Sequence, residues 1–562
     1  MDMDNKKITP FRRFLMLLKP DSKEVKNIYV YSIFSGLISM SLPLGIQAIV
    51  NLIQGGQINT SWVILVTFVV LGIAISGALQ VFQLRIMENL QQKIFTRAAV
   101  EFSYRISKIR MEALYKHHAP ELMNRFFDVA TIQKGLTKIL IDFSSAMFIV
   151  SFSLILLSFY HSFFILFSIL MIMLIYIIFR FTVPKGMETS LQESKFKYKV
   201  AHWLEEIART NISFKLAGNS TLPMEKTDKY VGQYLESRES HFNVLVQQYS
   251  LLIVFKVVIA AGLLAMGGIL VMEQQMNIGQ FVAAEIIILI IMASVEKIIL
   301  SVDSIYDIFT SLEKVAQVTD LELERSNGSP LDLARSEAGL SVTVKNVEFF
   351  YPEASKSTLH NISFAIESGD KWIFEGGNNS GKSTMLSIIS GLYEVQEGVI
   401  LFNGLPIGNL SLNSIRNVIG EYMANDRLFE GTVLENITLG RDNIPFTDVE
   451  WAVKNMGIQE FIQNSIEGYN STINSMGKGL SDSIITKILL ARAIVIKPKL
   501  LLLENAFEHL DKPNREKIID FLFKKENHWT IIAVTNNEYF AQKGAKTAVF
   551  AGGNIVELGE SK

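Results

Sequence analysis

The chain has 562 residues, 49% of them hydrophobic, a positive mean hydropathy and a formal net charge of −2. That length exceeds one ordinary domain. The balanced charge excludes a globally basic nucleic-acid binder, and the absence of cysteine excludes disulfides and thiolate metal sites.

The apolar excess is gathered before residue 302. Residues 1–28 form a polar segment with seven Lys or Arg, expected to be cytoplasmic and too short for a further folded domain. The apolar run behind it lacks a small-residue cleavage site and reads as an anchor, not a removable signal. Six apolar stretches follow, at 29–53, 62–84, 136–159, 163–182, 247–272 and 278–302. Each is long enough to cross about 30 Å of hydrocarbon at ~1.5 Å per residue. The connections 54–61, 160–162 and 273–277 contain no Lys or Arg, whereas 85–135 and 183–246 carry nine each. By the positive-inside rule both termini and the two long connections are cytoplasmic. Six buried helices of a soluble protein would show no such asymmetry.

The long connections keep apolar residues at helical spacing in "MENLQQKIFTRAAVEFSYRISKI" and "TSLQESKFKYKVAHWLEEIARTNI". They are predicted to continue the spans as long cytoplasmic helices. "KHHAPEL" (116–122) and "KLAGNS" (215–220) mark where each helical hairpin reverses. Within the spans, Lys256 and Glu285 fall about 15 Å and 20 Å from the cytoplasmic side. Charges in lipid usually pair or line a pathway. Either these two pair with each other or each faces its surroundings separately.

Residues 29–302 thus make a six-span membrane domain, 303–339 a linker containing the polar stretch "LERSNGSPLDLARSEAG", and 340–562 a domain of another kind. There, β-rich runs ("LSVTVKNVEFFY", "KWIFEG", "GVILFNG", "KLLLLE", "WTIIAVT", "TAVFAG") alternate with helical stretches. This alternation predicts an α/β domain with a largely parallel sheet.

The segment "KWIFEGGNNSGKSTMLSIISGLY" reads as strand, loop and helix. Its loop runs Gly376, Gly377, Asn378, Asn379, Ser380, Gly381, Lys382, Ser383, Thr384, with the pattern G-x-x-x-x-G-K-S from Gly376 to Ser383. Gly376 and Gly381 permit a turn whose N–H groups encircle phosphate oxygens at the positive end of the helix. Lys382 is then placed to reach β- and γ-phosphates, and Ser383 to offer its hydroxyl to Mg²⁺. Tyr351 closes a predicted strand some 25 residues upstream.

With six spans, two long intracellular hairpins and one such nucleotide domain, the chain resembles the ATP-binding cassette (ABC) exporters over essentially its whole length. "LFEGTVLENITLG", "LLARAIVIKPKLLLLE" and Leu510–Asp511 extend the likeness. In the membrane half, "SLPLGIQAIVNLI" and "APELMNRFFDVATIQKGL" look most like the type I secretion branch. The resemblance implies a type I exporter fold followed by an α/β P-loop domain that binds ATP and Mg²⁺. It also implies that Tyr351 stacks on adenine and that Asp511 lies in a loop facing a partner domain.

Five departures from that family's pattern fall at positions concerned with turnover. Ala424 stands where a glutamine would sense Mg²⁺ and water. The signature loop, Leu480-Ser481-Asp482-Ser483-Ile484, has lost its glycines, and Asp482 brings negative charge towards a partner's γ-phosphate. Glu504 replaces the Mg²⁺-linked aspartate. Asn505 replaces the glutamate that activates water, and an amide cannot take a proton. Asn536 replaces the switch histidine.

Three functional expectations follow. The leading one is an exporter subunit of a bacterial cytoplasmic membrane that binds ATP, hydrolyses it weakly or not at all, and moves a peptide, protein or amphipathic compound. A homodimer would lack the Asn505 carboxylate twice, so a heterodimer with a complete second half-transporter is expected. The secretion likeness adds a periplasmic adaptor and an outer-membrane channel as partners; nucleic acid is not one. The second is an ATP-sensing membrane scaffold. The third is an active homodimeric ATPase in which Glu504 has become the base.

Overall fold

The computed structural model describes residues 9–54, 60–331 and 339–560. Residues 1–8, 55–59, 332–338 and 561–562 lie outside the described residues, and with them most of the first short connection and part of the expected linker. The chain divides into two compact units, Met1–Ser107 with His117–Leu321, and Lys108–Lys116 with Glu322–Lys562.

Among the described residues, the first unit is helical and contains six helices long and apolar enough to cross a membrane. The helices Thr60–Ile106, Ser162–Arg209, Leu222–Gly262 and Ile278–Thr319 have 47, 48, 41 and 42 residues. A bilayer core occupies about 20 residues of helix, so roughly half of each continues beyond it. The first span is interrupted at Met40, between Ser22–Ser39 and Ser41–Gln54. Pro43, one turn into the second piece, cannot donate to the preceding turn and so favours a break there. Polar side chains tie the helices together where lipid offers no hydrophobic drive. Gln83 Nε2 donates to Ile28 O and Ser32 Oγ, and Gln248 Nε2 donates to Tyr306 Oη at 2.8 Å and Thr182 Oγ1 at 3.0 Å.

The structure bears on two of these expectations. Lys256 does not pair with Glu285; its ammonium bonds Glu296 at 2.7 Å. Glu285 and Glu296 stand eleven residues apart on the sixth helix, about three turns and so on nearly the same face, and Glu296 is the one level with Lys256. The linker also starts later than residue 303. The sixth helix runs on to Thr319, because Tyr306, Ile308, Leu312, Ala316 and Val318 keep a buried stripe at helical spacing.

Among the described residues, the second unit holds twelve strands: β1 Val342–Phe349, β2 Leu359–Ile366, β3 Lys371–Gly376, β4 Glu397–Phe402, β5 Leu405–Pro406, β6 Ile419–Tyr422, β7 Gly431–Thr432, β8 Thr472–Ile473, β9 Leu500–Glu504, β10 Thr530–Val534, β11 Lys546–Ala551 and β12 Asn554–Glu560. The main sheet has the order β12-β11-β3-β10-β9-β6, with every pairing parallel except β11–β12. Its central strands are buried on both faces, so they read as continuous apolar runs. Leu501, Leu503, Ile531, Ala533 and Ile373 enter one core, while Leu500, Leu502, Ile532, Val534, Trp372 and Phe374 enter the other. A second, antiparallel sheet of order β2-β1-β4-β5 covers the latter core.

Candidate nucleotide site

The order of the main sheet assembles the site. Strands β3, β10, β9 and β6 are parallel neighbours, so the loops at their C-terminal ends open on one side of the sheet. These loops begin at Gly376, Thr535, Asn505 and Met423. That is the edge where open α/β sheets bind ligands. Residues separated by some 160 positions in sequence therefore meet: the phosphate loop, Glu504 with Asn505, Ala424 and Asn536.

The phosphate loop is built by backbone. Gly376 has φ +137°, and a Cβ there would stand 2.1 Å from Phe550 O. Gly381 has φ +104° and caps the helix Lys382–Ile389. Both conformations are closed to ordinary side chains. Asn379 also takes a left-handed backbone, φ +60°. Lys382 Nζ spans the mouth of the loop, donating to Gly376 O at 2.8 Å, Gly377 O at 2.7 Å and Ser380 Oγ at 3.0 Å. Burial draws this ammonium below its ordinary pKa, against the opposing pull of the Glu504 carboxylate. Gly377, Asn378, Asn379 and Ser383 are exposed; Ser380 and Thr384 are buried.

Glu504 ends β9, and its Oε2 accepts from Ala424 N at 3.0 Å, joining β9 to the loop after β6. Asn505 follows with φ +53°, its backbone N donating to Val534 O at 2.9 Å. Asn536, beyond β10, is exposed. Arg492 fixes the loop that holds Ala424: its guanidinium bonds Asp426 at 3.1 Å, Asn436 O at 2.7 Å and Asn436 Oδ1 at 3.2 Å. It is buried, so removing it would leave Asp426 and Asn436 unmatched.

Two groups lie outside this cluster. Ser481 caps the helix Asp482–Ile494, accepting from Ile484 N at 3.4 Å, with Asp482 in the first turn, where the helix dipole favours a carboxylate. Ser483 follows it, and no bond joins these residues to the phosphate loop among the described residues. Asp511 caps Lys512–Leu522 through Asn514, and that hydrogen bond lowers its pKa.

Tyr351 does belong to the cluster. Its hydroxyl lies 3.0 Å from Thr384 Oγ1. Its ring stacks on Tyr115 at 5.5 Å and 21°, with Phe349 and Tyr393 against it edge-on at 5.0 and 5.4 Å. Sequence reasoning placed the reversal of the first hairpin at 116–122 and missed Tyr115 immediately before it. The segment Lys108–Lys116 is held to this unit by Arg110 on Glu394 at 3.3 Å, by Glu112 accepting from Glu394 N at 3.1 Å and by Lys116 on Glu353. Nothing in the local sequence marks Tyr115 as a partner for residue 351; only the tertiary fold does.

The loop suits a polyphosphate. Its N–H groups and helix N-terminus converge where Lys382 stands. A magnesium ion brought with it fits the donor set as well, since Ser383 offers a free hydroxyl and Glu504 a hard oxygen.

Comparison with known proteins places these features. Residues 27–211 match the family model "ABC transporter transmembrane region", and residues 359–508 match "ABC transporter". Together the two cover more than half of the chain. The translocation ATP-binding protein HlyB for alpha-hemolysin, from Escherichia coli, is 27% identical over 297 residues, 53% of this chain and 42% of HlyB. The chain thus spans about two fifths of that relative's length. The transport/processing ATP-binding protein ComA of Streptococcus pneumoniae is 23% identical over 97% of this chain and 76% of its own. A solved structure of a bacterial Atm1-family ABC exporter with ATP bound superposes with a TM-score of 0.81 at 17% identity, covering 96% of this chain and 95% of that one. That likeness shows the fold.

Proposed function

This chain belongs to the ABC transporter family, and from that premise we propose that it is an exporter subunit that grips Mg²⁺·ATP without cutting it efficiently. The observation that carries the reading is a contrast between neighbouring strand ends. At β3 the phosphate loop keeps every backbone and side-chain element of a nucleotide grip. Just after β9, the position that the family resemblance gives to water activation holds Asn505, which has no proton-accepting carboxylate. General-base loss costs about 10²–10⁴-fold in rate.

Tyr351 and residues 376–384 form the nucleotide-binding set, Ser383 and Glu504 hold the metal, and Ser481 and Asp511 face the partner domain. Glu504 is engaged by Ala424 N–H, which supports a role beside the metal over a free base. Binding energy from ATP alone closes a domain dimer if the closed form binds it more tightly. Turnover then falls to a second, motif-complete half-transporter. Both termini and the two hairpins lie on the cytoplasmic side of a bacterial inner membrane. The cargo is a peptide, protein or amphipathic compound, with an adaptor and an outer-membrane channel completing the route.

The test is nucleotide binding and hydrolysis by the purified full chain. Mg²⁺·ATP should bind in the micromolar to millimolar range with background hydrolysis, and Lys382→Ala should weaken binding about tenfold or more, since it removes a charge aimed at phosphate. Binding untouched by Lys382→Ala would refute the site. Robust hydrolysis abolished by Glu504→Gln would mean that Glu504 is the base. ATP binding with no transport beside a complete partner would make the chain a regulatory scaffold.

A further inference from the structure

We propose that the N-terminal helix and the start of the first span form a binding site for one anionic phospholipid. The proposal rests on the membrane-spanning reading and not on the nucleotide chemistry. The helix Pro10–Leu18 is pinned on one side: Phe14 and Leu18 are buried, Phe14 packs edge-on against Phe309 at 5.9 Å, and Arg13 grips Asp320 through two bonds of 2.9 and 2.6 Å. Its other side is apolar and open, with Phe11 59%, Leu15 52% and Met16 55% exposed. Between that side and the first span runs a groove of about 730 Å³.

The groove has a polar end and an apolar end. Arg12, Lys19 and Lys26 line it, all exposed, and none has an ion pair or side-chain hydrogen bond among the described residues. Along the first span, Lys26, Tyr29, Val30 and Ile33 occupy one helical face at intervals of three and four residues. At ~1.5 Å per residue the wall passes from cation to pure hydrocarbon within about 10 Å. The sequence places the edge of the hydrocarbon at about residue 29, so the cations stand at headgroup level and the apolar wall enters the acyl layer. A phosphate-bearing amphiphile matches both ends at once. Arg12 and Arg13 divide the work: Arg13 is neutralised inward by Asp320, and Arg12 is left outward for a headgroup.

The full chain, purified in a neutral detergent, is incubated with dioctanoyl phosphatidylglycerol or dioctanoyl phosphatidylcholine, and bound lipid is counted by native mass spectrometry. Phosphatidylglycerol should be retained at least about fivefold better, the effect of one interfacial cation. The preference should disappear in Arg12→Gln/Lys19→Gln/Lys26→Gln and survive in Lys23→Gln, which does not line the groove. Should the triple variant fail to fold, the unmodified protein in 1 M salt serves instead, because screening shrinks to about 3 Å there and should erase the preference. Equal retention of the two lipids by the unmodified protein overturns the proposal, as does a preference that persists in the triple variant or in high salt. ATP binding, measured on the same samples, should not change, so a failed nucleotide site and a failed lipid site give different results.

Discussion

The phosphate loop after β3 and the cluster after β9 lie two strands apart on one sheet edge, yet they are built from different material. The loop is made by backbone: Gly376 and Gly381 in conformations that side chains refuse, and N–H groups at a helix start. The cluster after β9 is made by side chains presented on a scaffold of ordinary strands. A backbone device fails as a whole when its glycines change, whereas a side-chain device loses chemistry while its scaffold stands. On the function proposed above, the difference teaches that gripping and cutting a nucleotide are separable by substitution at a few strand ends.

The strongest way to break the comparison is to restore the side chains. Asn505→Glu alone should give little ATP hydrolysis, because the groups act as a unit. Combined with Ala424→Gln, Asn536→His, Asp482→Gly, Ser483→Gly and Ile484→Gln, it should raise steady-state phosphate release about 10²-fold over the starting chain. A sixfold revertant that binds ATP and stays silent would show that the scaffold has moved too.

On the backbone side, Gly376→Ala should lower ATP affinity by about tenfold to a hundredfold, through left-handed strain plus collision with Phe550 O. Gly377→Ala should be nearly neutral, because its Cβ meets nothing within 4 Å. Isothermal titration on both variants separates a backbone-built grip from one made by Lys382 alone.

In the membrane unit, a double-mutant cycle between Lys256→Met and Glu296→Gln should show coupling of about 1 kcal/mol in thermal stability. The same cycle with Glu285→Gln should be additive. Coupling to Glu285 instead would contradict the pairing at 2.7 Å.

A pH-dependent effect concerns Lys371, at the start of β3. Its ammonium bonds Gly369 O and Trp529 O, and burial lowers its pKa to about 8. The folded chain therefore releases this proton before the unfolded chain does, whose lysine titrates near 10.5. Between about pH 8 and 10.5 the unfolded state holds more protons, and stability rises with pH. Below that window the burial cost is felt in full. The melting temperature of the nucleotide-binding unit in the full chain should climb across the window, and Lys371→Met should flatten the climb.

Much of this was legible in residue order. Long, charge-poor apolar stretches mark the six spans, and unbroken apolar runs mark β3, β9 and β10, because strands buried on both faces leave no alternation to misread. The short strand β6 and the half-exposed strand β2 carry weaker signals, and the antiparallel sheet follows from pairings that no single segment encodes. Lys256 shows the same limit. Its partner turns on depth: Glu285 and Glu296 share one face of the sixth helix, and a residue count does not say which of them stands level with Lys256. Tyr115 is the extreme case, since a contact spanning 236 positions with Tyr351 has no local trace.

Asparagine at 505 has a further consequence, for reversibility. Of the ten non-glycine residues with positive φ among the described residues, five are asparagines: Asn346, Asn361, Asn379, Asn403 and Asn505. Asparagine tolerates this backbone because its short amide can bond locally. A glutamate put back at 505 forgoes that tolerance, at about 1 kcal/mol. On the proposed reading the substitution works as a ratchet: a step from glutamate to asparagine relaxes the loop, and the step back is uphill before any catalytic benefit accrues. A lineage that lets a partner do the cutting would drift to the amide and stay there, and Asn505→Gly should melt no lower than the parent while Asn505→Glu melts below it.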